Sequence, residues 1–250
     1  MNKIHFVGAG SGAPDLITVR GMKLLQEADV IIYAGSLIPP ELLNYASEGA
    51  EIHNSAKMYL EQVLDVMIGA FREGRKVVRL HTGDPSIYGA IREQMAELEK
   101  KGIPFDVCPG VSSFTAAAAS LKAEYTLPGI SQTVILTRMA GKTPVPEREG
   151  IRELASHGAS MAIFLSISMV RELQKELLAS GVYTEDTPCA VAYRVSWPEE
   201  MILRTPLSGL ARTVESAGIR KTALLLVGDF LGEEYGLSCL YDKEFHTEYR

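Results

Sequence analysis

The sequence predicts an α/β protein of two domains, each a mainly parallel or mixed sheet covered by helices. Two observations carry this. Short apolar runs at residues 3–8 (KIHFVG), 29–35 (DVIIYAG), 75–81 (RKVVRLH) and 103–108 (IPFDVC) read as buried strands, and the stretches 18–28, 57–73 and 86–101 between them carry apolar residues at helical spacing. Strand and helix therefore alternate, which argues for a parallel sheet with helices on its faces. The Ala-rich stretch 112–121 (SSFTAAAASL) reads as one more, closely packed helix. Around 122–131 (KAEYTLPGIS) this regularity lapses. A second series follows, with strands near 132–138, 160–166, 189–194 and 222–228 and helices near 147–156, 168–180 and 207–217. We place the domain boundary there, giving residues 1–122 and 123–250.

Composition narrows the function. A hydrophobic content of 46% over 250 residues is enough for two real cores. The formal charge of −6 argues against nucleic acid as a partner, because that binding is driven by neutralising phosphates. Any anionic ligand must instead meet a local basic pocket. Cys108, Cys189 and Cys239 are far apart and form no C-x-x-C pair, so a reducing compartment is expected and a zinc site is not. The N-terminus runs straight into the strand pattern Ile4-His5-Phe6-Val7, and no apolar run approaches the ~20 residues of a membrane span. We expect no membrane partner and no metal, and a cytoplasmic protein.

Three loops stand where strands end, the place where open α/β sheets bind ligands. The first, residues 8–15 (GAGSGAPD), satisfies G-x-G-x-x-A, the dinucleotide fingerprint. That fingerprint also needs a helix opening on the last small residue and an acid ending the second strand. Here Pro14 comes next, and the second strand runs into Tyr33-Ala34-Gly35-Ser36. A tight turn whose glycines merely allow positive φ, and a turn shaped to approach a ligand, are the other readings. The second loop, residues 82–89 (TGDPSIYG), has glycines on both sides that let backbone touch a ligand, while Asp84 or Ser86 also suits a helix N-cap. In the third, residues 109–113 (PGVSS), Ser112 and Ser113 can cap the following helix and bond a ligand as well.

Together these runs (GAGSGAPDLITVRG, TGDPSIYGA and PGVSS) resemble the tetrapyrrole methylases, the class III methyltransferases, over essentially the whole chain. Within them, residues 33–37 (YAGSL), 53–56 (HNSA), 79–81 (RLH) and 137–146 (TRMAGKTPVP) are similar to the precorrin-4 and cobalt-precorrin-4 C11-methyltransferases. Ser11 and Ala13 depart from the family's frequent proline and aspartate, which puts a side-chain role at position 13 in doubt. The resemblance implies two α/β domains, a homodimer, and S-adenosyl-L-methionine held in the cleft between the domains, largely by backbone. Carried over residue by residue, the cofactor positions are Pro14, Gly83, Asp84, Ile87, Tyr88, Ser112 and Ser113, then Phe164, Leu165, Ala190, Tyr193, Thr222, Ala223 and Leu224. The last seven also read simply as buried strand.

The implied reaction moves a sulfonium methyl to an electron-rich carbon of a small-molecule tetrapyrrole in cobalamin biosynthesis. It needs no enzyme nucleophile, and the sequence offers no clear Ser-His-Asp or Cys-His set. A precorrin presents many acetate and propionate carboxylates, so an acidic protein must supply local cations. Arg138 and Lys142, in the Pro/Gly loop 139–148, are the first candidates, followed by His53, Lys57, His81 and Arg194; solvated surface cations, or for His81 a satisfied core histidine, are the competing readings. Three other functions stay open: methylation of a different ring carbon of uroporphyrinogen-III or a precorrin, an NAD-dependent oxidoreductase, and a non-catalytic tetrapyrrole carrier.

Overall fold

The computed structural model describes residues 2–35, 37–241 and 245; Ser36, one of the residues carrying the resemblance, lies outside the described residues. The chain forms two compact units, Met1–Ala116 with Ser196–Pro198, and Ala117–Val195 with Glu199–Arg250.

The first unit is built on a parallel sheet of five strands: β1 (Ile4–Gly8), β2 (Val30–Tyr33), β3 (Glu51–Asn54), β4 (Val77–His81) and β5 (Phe105–Cys108), in the order β3-β2-β4-β1-β5. Strand periodicity divides its apolar side chains between two faces. On one face Ile4, Phe6, Val30, Ile32 and Val77 pack with Val63, Leu64 and Met67 of α2 (Leu60–Arg72) and Leu98 of α3 (Arg92–Lys100). On the other Val7, Ile31, Val78 and Leu80 pack with Leu25 of α1 (Val19–Glu27). Each such fully buried side chain contributes about 1.5–3 kcal/mol. Helix α4 (Ser113–Leu121) follows β5.

Arg79 and His81, two residues apart on β4, break the apolar pattern of the first face. Arg79, in the middle of β4, is 6% exposed, and burial pulls its pKa down to about 10, which leaves it charged at neutral pH. Its Nε donates to Gln94 Oε1 (3.2 Å) and its Nη1 to the Ile32 carbonyl (3.1 Å). Gln94 in turn donates through Nε2 to the Ala90 carbonyl (3.1 Å). The sheet interior is thus tied to the loop that follows β4.

The second unit holds a mixed sheet of β6 (Val134–Arg138), β7 (Ser160–Phe164), β8 (Pro188–Tyr193), β9 (Met201–Pro206) and β10 (Ala223–Val227), in the order β6-β7-β10-β8-β9. Only β6 and β7 are parallel; the other pairs are antiparallel. Helices α5 (Ile151–Ala155), α6 (Val170–Leu178) and α7 (Leu210–Ser216) bury Ile151, Leu173, Leu177 and Leu210 against Met161, Ile163, Val191 and Leu225. No helix among the described residues is long and apolar enough to cross a membrane.

Three expectations need correcting. Strands β3 and β9 were not expected from the sequence. The helix placed over 86–101 begins only at Arg92, because residues 85–88 form turns and Tyr88 and Ala90 take left-handed φ of 55° and 49°. The helix placed over 147–156 is a 3-10 turn at Glu147–Glu149 followed by the short α5.

Candidate functional site

In the first unit the three glycine-bearing loops come together over the carboxyl ends of β1, β4 and β5. Gly83 N–H donates to the Gly10 carbonyl (2.8 Å) and Gly10 N–H to the Gly83 carbonyl (3.3 Å), so the first two loops pair like strands. Asp84 joins the second loop to the third: its Oδ2 accepts from Gly110 N–H (2.9 Å), while Oδ1 accepts from the Ser86 N–H (2.8 Å) and hydroxyl. Burial pushes the Asp84 carboxyl up, but the Ser86 hydroxyl and the Gly110 and Ser86 amides together outweigh it and hold the group below its ordinary pKa. Asp84 is therefore not a helix N-cap. It closes a turn on its own loop and fastens the neighbouring one.

Close backbone contact explains the glycines. A Cβ on Gly8 would lie 2.6 Å from both the Gly110 Cα and the Gly83 carbonyl oxygen, and one on Gly110 would lie 2.2 Å from that oxygen. Gly83 differs. Its φ is +62°, yet a Cβ there would meet nothing nearer than the Ser112 Cα at 3.7 Å. The space beside Gly83 is open to a ligand, as a backbone cradle requires. Of the other nominated residues, Ile87 closes a turn on the Asp84 carbonyl (3.2 Å) and Tyr88 is 46% exposed. The buried Ser112 starts α4 by accepting from Ala116 N–H (3.2 Å), and Ser113 is the first residue of that helix. Pro14 opens a 3-10 turn, Pro14–Leu16, and α1 starts only at Val19.

The second unit gathers most of its nominated positions at one end of its sheet. Phe164 ends β7 with the exposed Leu165 beyond it; Thr222 precedes β10, which Ala223 and Leu224 begin; Tyr193 ends β8 opposite Ala223. Leu165, Arg194 and Thr222 are left-handed, with φ of 53°, 44° and 57°. Such strain in non-glycine residues concentrates at functional sites. Ala190 sits apart, fully buried in mid-strand opposite Leu226.

Several candidate cations already have work to do. Arg138, opposite Phe164, donates to the Met139 (3.1 Å), Thr143 (3.1 Å) and Pro144 (2.8 Å) carbonyls and so braces its own loop, where the sequence suggested a flexible clamp. His53 Nε2 lies 2.7 Å from Glu51 Oε1 on the edge strand β3, and Arg194 Nη1 lies 3.2 Å from Glu199 Oε2. Lys57 and Lys142 are exposed. His81 is buried on the Phe6 face, its ring stacked 6.0 Å from that of Phe6, and among the described residues its Nε2 has no hydrogen-bond partner.

The family profile for "Tetrapyrrole (Corrin/Porphyrin) Methylases" matches residues 3–211. The chain belongs to the tetrapyrrole methylases. It is 56% identical over 249 residues to a cobalt-precorrin-4 C(11)-methyltransferase of Methanocaldococcus jannaschii, covering 99% of this chain and 96% of that one. It is 44% identical to a precorrin-4 C(11)-methyltransferase of Pseudomonas aeruginosa (99% and 98% covered). Among solved structures, a cobalt precorrin-4 methyltransferase matches at a TM-score of 0.90 and 47% identity, over 92% of this chain and 96% of that one. A uroporphyrin-III C-methyltransferase of Thermus thermophilus complexed with S-adenosylhomocysteine matches at 0.76 and 25%, over 92% and 94%.

Unlike in the 3-2-1-4-5 order of dinucleotide-binding sheets, β4 stands between β1 and β2 in this tetrapyrrole methylase, and Ala13 leads into a three-residue 3-10 turn while the α-helix starts only at Val19. The oxidoreductase reading of residues 8–13 falls on both counts. Two features escaped sequence reasoning. One is the Arg79–Gln94 link, and the other is the placement of Ser196–Pro198 in the first unit. An arginine inside an apolar strand run and a lone tryptophan beside a proline were the available signals.

Two expected results follow from the cations. Arg138→Ala should speed proteolysis within 139–145, whereas Lys142→Ala should leave that rate unchanged and raise KM for the tetrapyrrole; identical behaviour of the two variants would contradict the bracing role. Burial, and then the Arg79 charge, lower the His81 pKa from 6.5 to about 3. The unfolded chain therefore takes up a proton below pH 6.5 that the folded chain refuses. The His81 contribution is complete above pH 6.5 and is lost as pH falls toward 3, by at most about 1.4 kcal/mol per pH unit. Denaturant titrations at pH 7 and pH 5 should show a shallower pH dependence for His81→Phe than for the native chain, and equal slopes would refute this.

Proposed function

We propose that this tetrapyrrole methylase is an S-adenosyl-L-methionine-dependent C-methyltransferase of cobalamin biosynthesis that methylates precorrin-4 or cobalt-precorrin-4 at C11. The observation that supports this most is the joined set of three loops on a chain 56% identical to a named cobalt-precorrin-4 C(11)-methyltransferase. The open side of Gly83 and the left-handed turn at Tyr88 and Ala90 suit a ligand held by backbone. Pro14, Gly83, Asp84, Ile87, Tyr88, Ser112 and Ser113 would hold S-adenosylmethionine in the first unit. In the second unit the strained sheet end, with Phe164, Leu165, Tyr193, Thr222, Ala223 and Leu224, is proposed as a further set of ligand contacts.

When bound, the cofactor supplies a methyl group on a sulfonium that is already a good leaving group. The protein's part is alignment and exclusion of water. Rigid loops serve alignment, and these are cross-braced by the Asp84 carboxylate and the Gly10–Gly83 pair. Lys57 and Lys142 are proposed to meet substrate carboxylates, since both are exposed cations in segments that resemble the C11 enzymes. We also propose a cytoplasmic homodimer, which light scattering would test.

Incubation with cobalt-precorrin-4, or separately with precorrin-4, and S-adenosylmethionine carrying a 13C-methyl should give a product heavier by one labelled methyl, with its NMR signal at C11. Label at another ring carbon would replace the C11 assignment, and no transfer to either substrate would overturn the reading.

A further inference from the structure

Residues 196–198 follow β8 in the chain, yet they are part of the first unit, where they pack on the first glycine loop. Ser196 Oγ accepts from Ala13 N–H (3.1 Å) and shares a hydrogen bond with Ser11 Oγ (2.8 Å). Trp197 Nε1 donates to the Ser11 carbonyl (3.1 Å). The indole lies against Gly12 so closely that a Cβ there would be 2.2 Å from Cδ1 and 2.4 Å from Nε1. Position 12 is glycine because Trp197 occupies the space a side chain would need. Ser196 itself is left-handed, at φ +64°, a conformation that persists in a non-glycine residue only when its surroundings impose it.

The loop needs such support. Between β1 and the 3-10 turn at Pro14, the Gly10 amide and carbonyl are paired with Gly83, while the Ser11 carbonyl and the Ala13 amide are paired with this segment. Pro14 comes directly after these anchored residues.

We propose that Ser196–Pro198 is a latch that positions the first glycine loop for S-adenosylmethionine, with Trp197 as its chief positioning residue. This rests on the methyltransferase reading above. The latch touches no reacting atom; it acts through residues 11–14, and its removal should weaken cofactor binding while sparing turnover at saturation.

Calorimetry with S-adenosylhomocysteine tests it, alongside kcat and the KM values for both substrates. Trp197→Ala should weaken S-adenosylhomocysteine about tenfold or more, and Trp197→Phe, which keeps a ring and loses the N–H, about threefold. In both, KM for S-adenosylmethionine should rise while kcat at saturation stays near the native value. Gly12→Ala should bind poorly, and the Gly12→Ala, Trp197→Ala double variant should bind better than Gly12→Ala alone, because the clash is gone. Circular dichroism verifies folding, and if Trp197→Ala is unfolded, Trp197→Phe and Ser196→Ala decide the matter. Native affinity in the folded variants, a loss confined to melting temperature, or a change confined to the tetrapyrrole KM overturns the latch. Failure of the native chain to bind S-adenosylhomocysteine removes the methyltransferase reading, and the latch with it. Native binding with unaffected variants removes the latch alone.

Discussion

Gly110→Ala is expected to disrupt the first unit, whereas Gly83→Ala leaves it folded and loses cofactor affinity. The added methyl at 110 would stand 2.2 Å from the Gly83 carbonyl oxygen and 2.8 Å from the Gly8 Cα. Both are backbone atoms of paired segments, so no rotamer change can relieve the overlap. Overpacking of this kind costs about 3 kcal/mol or more, which lowers the melting temperature by roughly 6–12 °C in a chain of this size. At Gly83 a methyl meets nothing within 3.7 Å, and the cost is the left-handed φ alone, about 1–2 kcal/mol. A β-branched residue such as valine would add strain there, so alanine separates function from folding more cleanly. Thermal unfolding and S-adenosylhomocysteine calorimetry on both variants check the pair. A Gly110→Ala protein that melts within two or so degrees of native would refute the stacking argument.

Asp84→Asn should lower kcat/KM by about 10- to 100-fold, the size expected when one buried-side hydrogen bond worth about 1–3 kcal/mol is replaced by a mismatch. The carboxylate accepts on both oxygens, from Gly110 on one side and from Ser86 on the other. Asparagine keeps one acceptor and must turn an NH2 group toward either the Gly110 amide or Ser86. Asp84→Glu keeps the charge but reaches too far, so it should not rescue. The depressed pKa means that the native carboxylate contributes above its ordinary pKa near 3.8 and loses that contribution as pH falls through the still lower folded value. Near-neutral activity should therefore carry no titration from this group. Steady-state kinetics of both variants, with melting curves as control, would show whether the second and third loops work as a pair; native kcat/KM in Asp84→Asn would show that they do not.

How far the molecule could be read from its sequence depends on where each element's determinants lie. β1 and β4 are apolar runs whose burial is written in their own residues, and the three loops could be nominated as candidates because each follows such a run. β3 was missed because Glu51-Ile52-His53-Asn54 has a single apolar residue; its pairing to β2 forms it, and pairing is not local. β9 is half exposed and follows Pro198-Glu199-Glu200, which masked its short apolar start. At residues 86–91 the local pattern favours a helix, and a distant tie decides otherwise: Arg79 holds Gln94, and Gln94 holds the Ala90 carbonyl. Side-chain charge was legible but its use was not. Arg138 reads from the sequence as a candidate clamp for carboxylates, and the structure shows it serving three carbonyls of its own loop, a role that spacing alone does not reveal.

The chain order of the first unit also has a consequence for biogenesis. Its five strands and helices α1 to α3 are complete once residue 116 has left the ribosome, but Ser196–Pro198 is still to come. At ~5–20 residues per second, the missing stretch takes on the order of 4–16 s to translate. During that interval the Ser11 carbonyl and Ala13 amide lack the partners that Trp197 and Ser196 supply in the full chain. The segment follows β8 and precedes β9, so on the latch proposal a product that ends before residue 196 lacks the side chains that pair the first glycine loop.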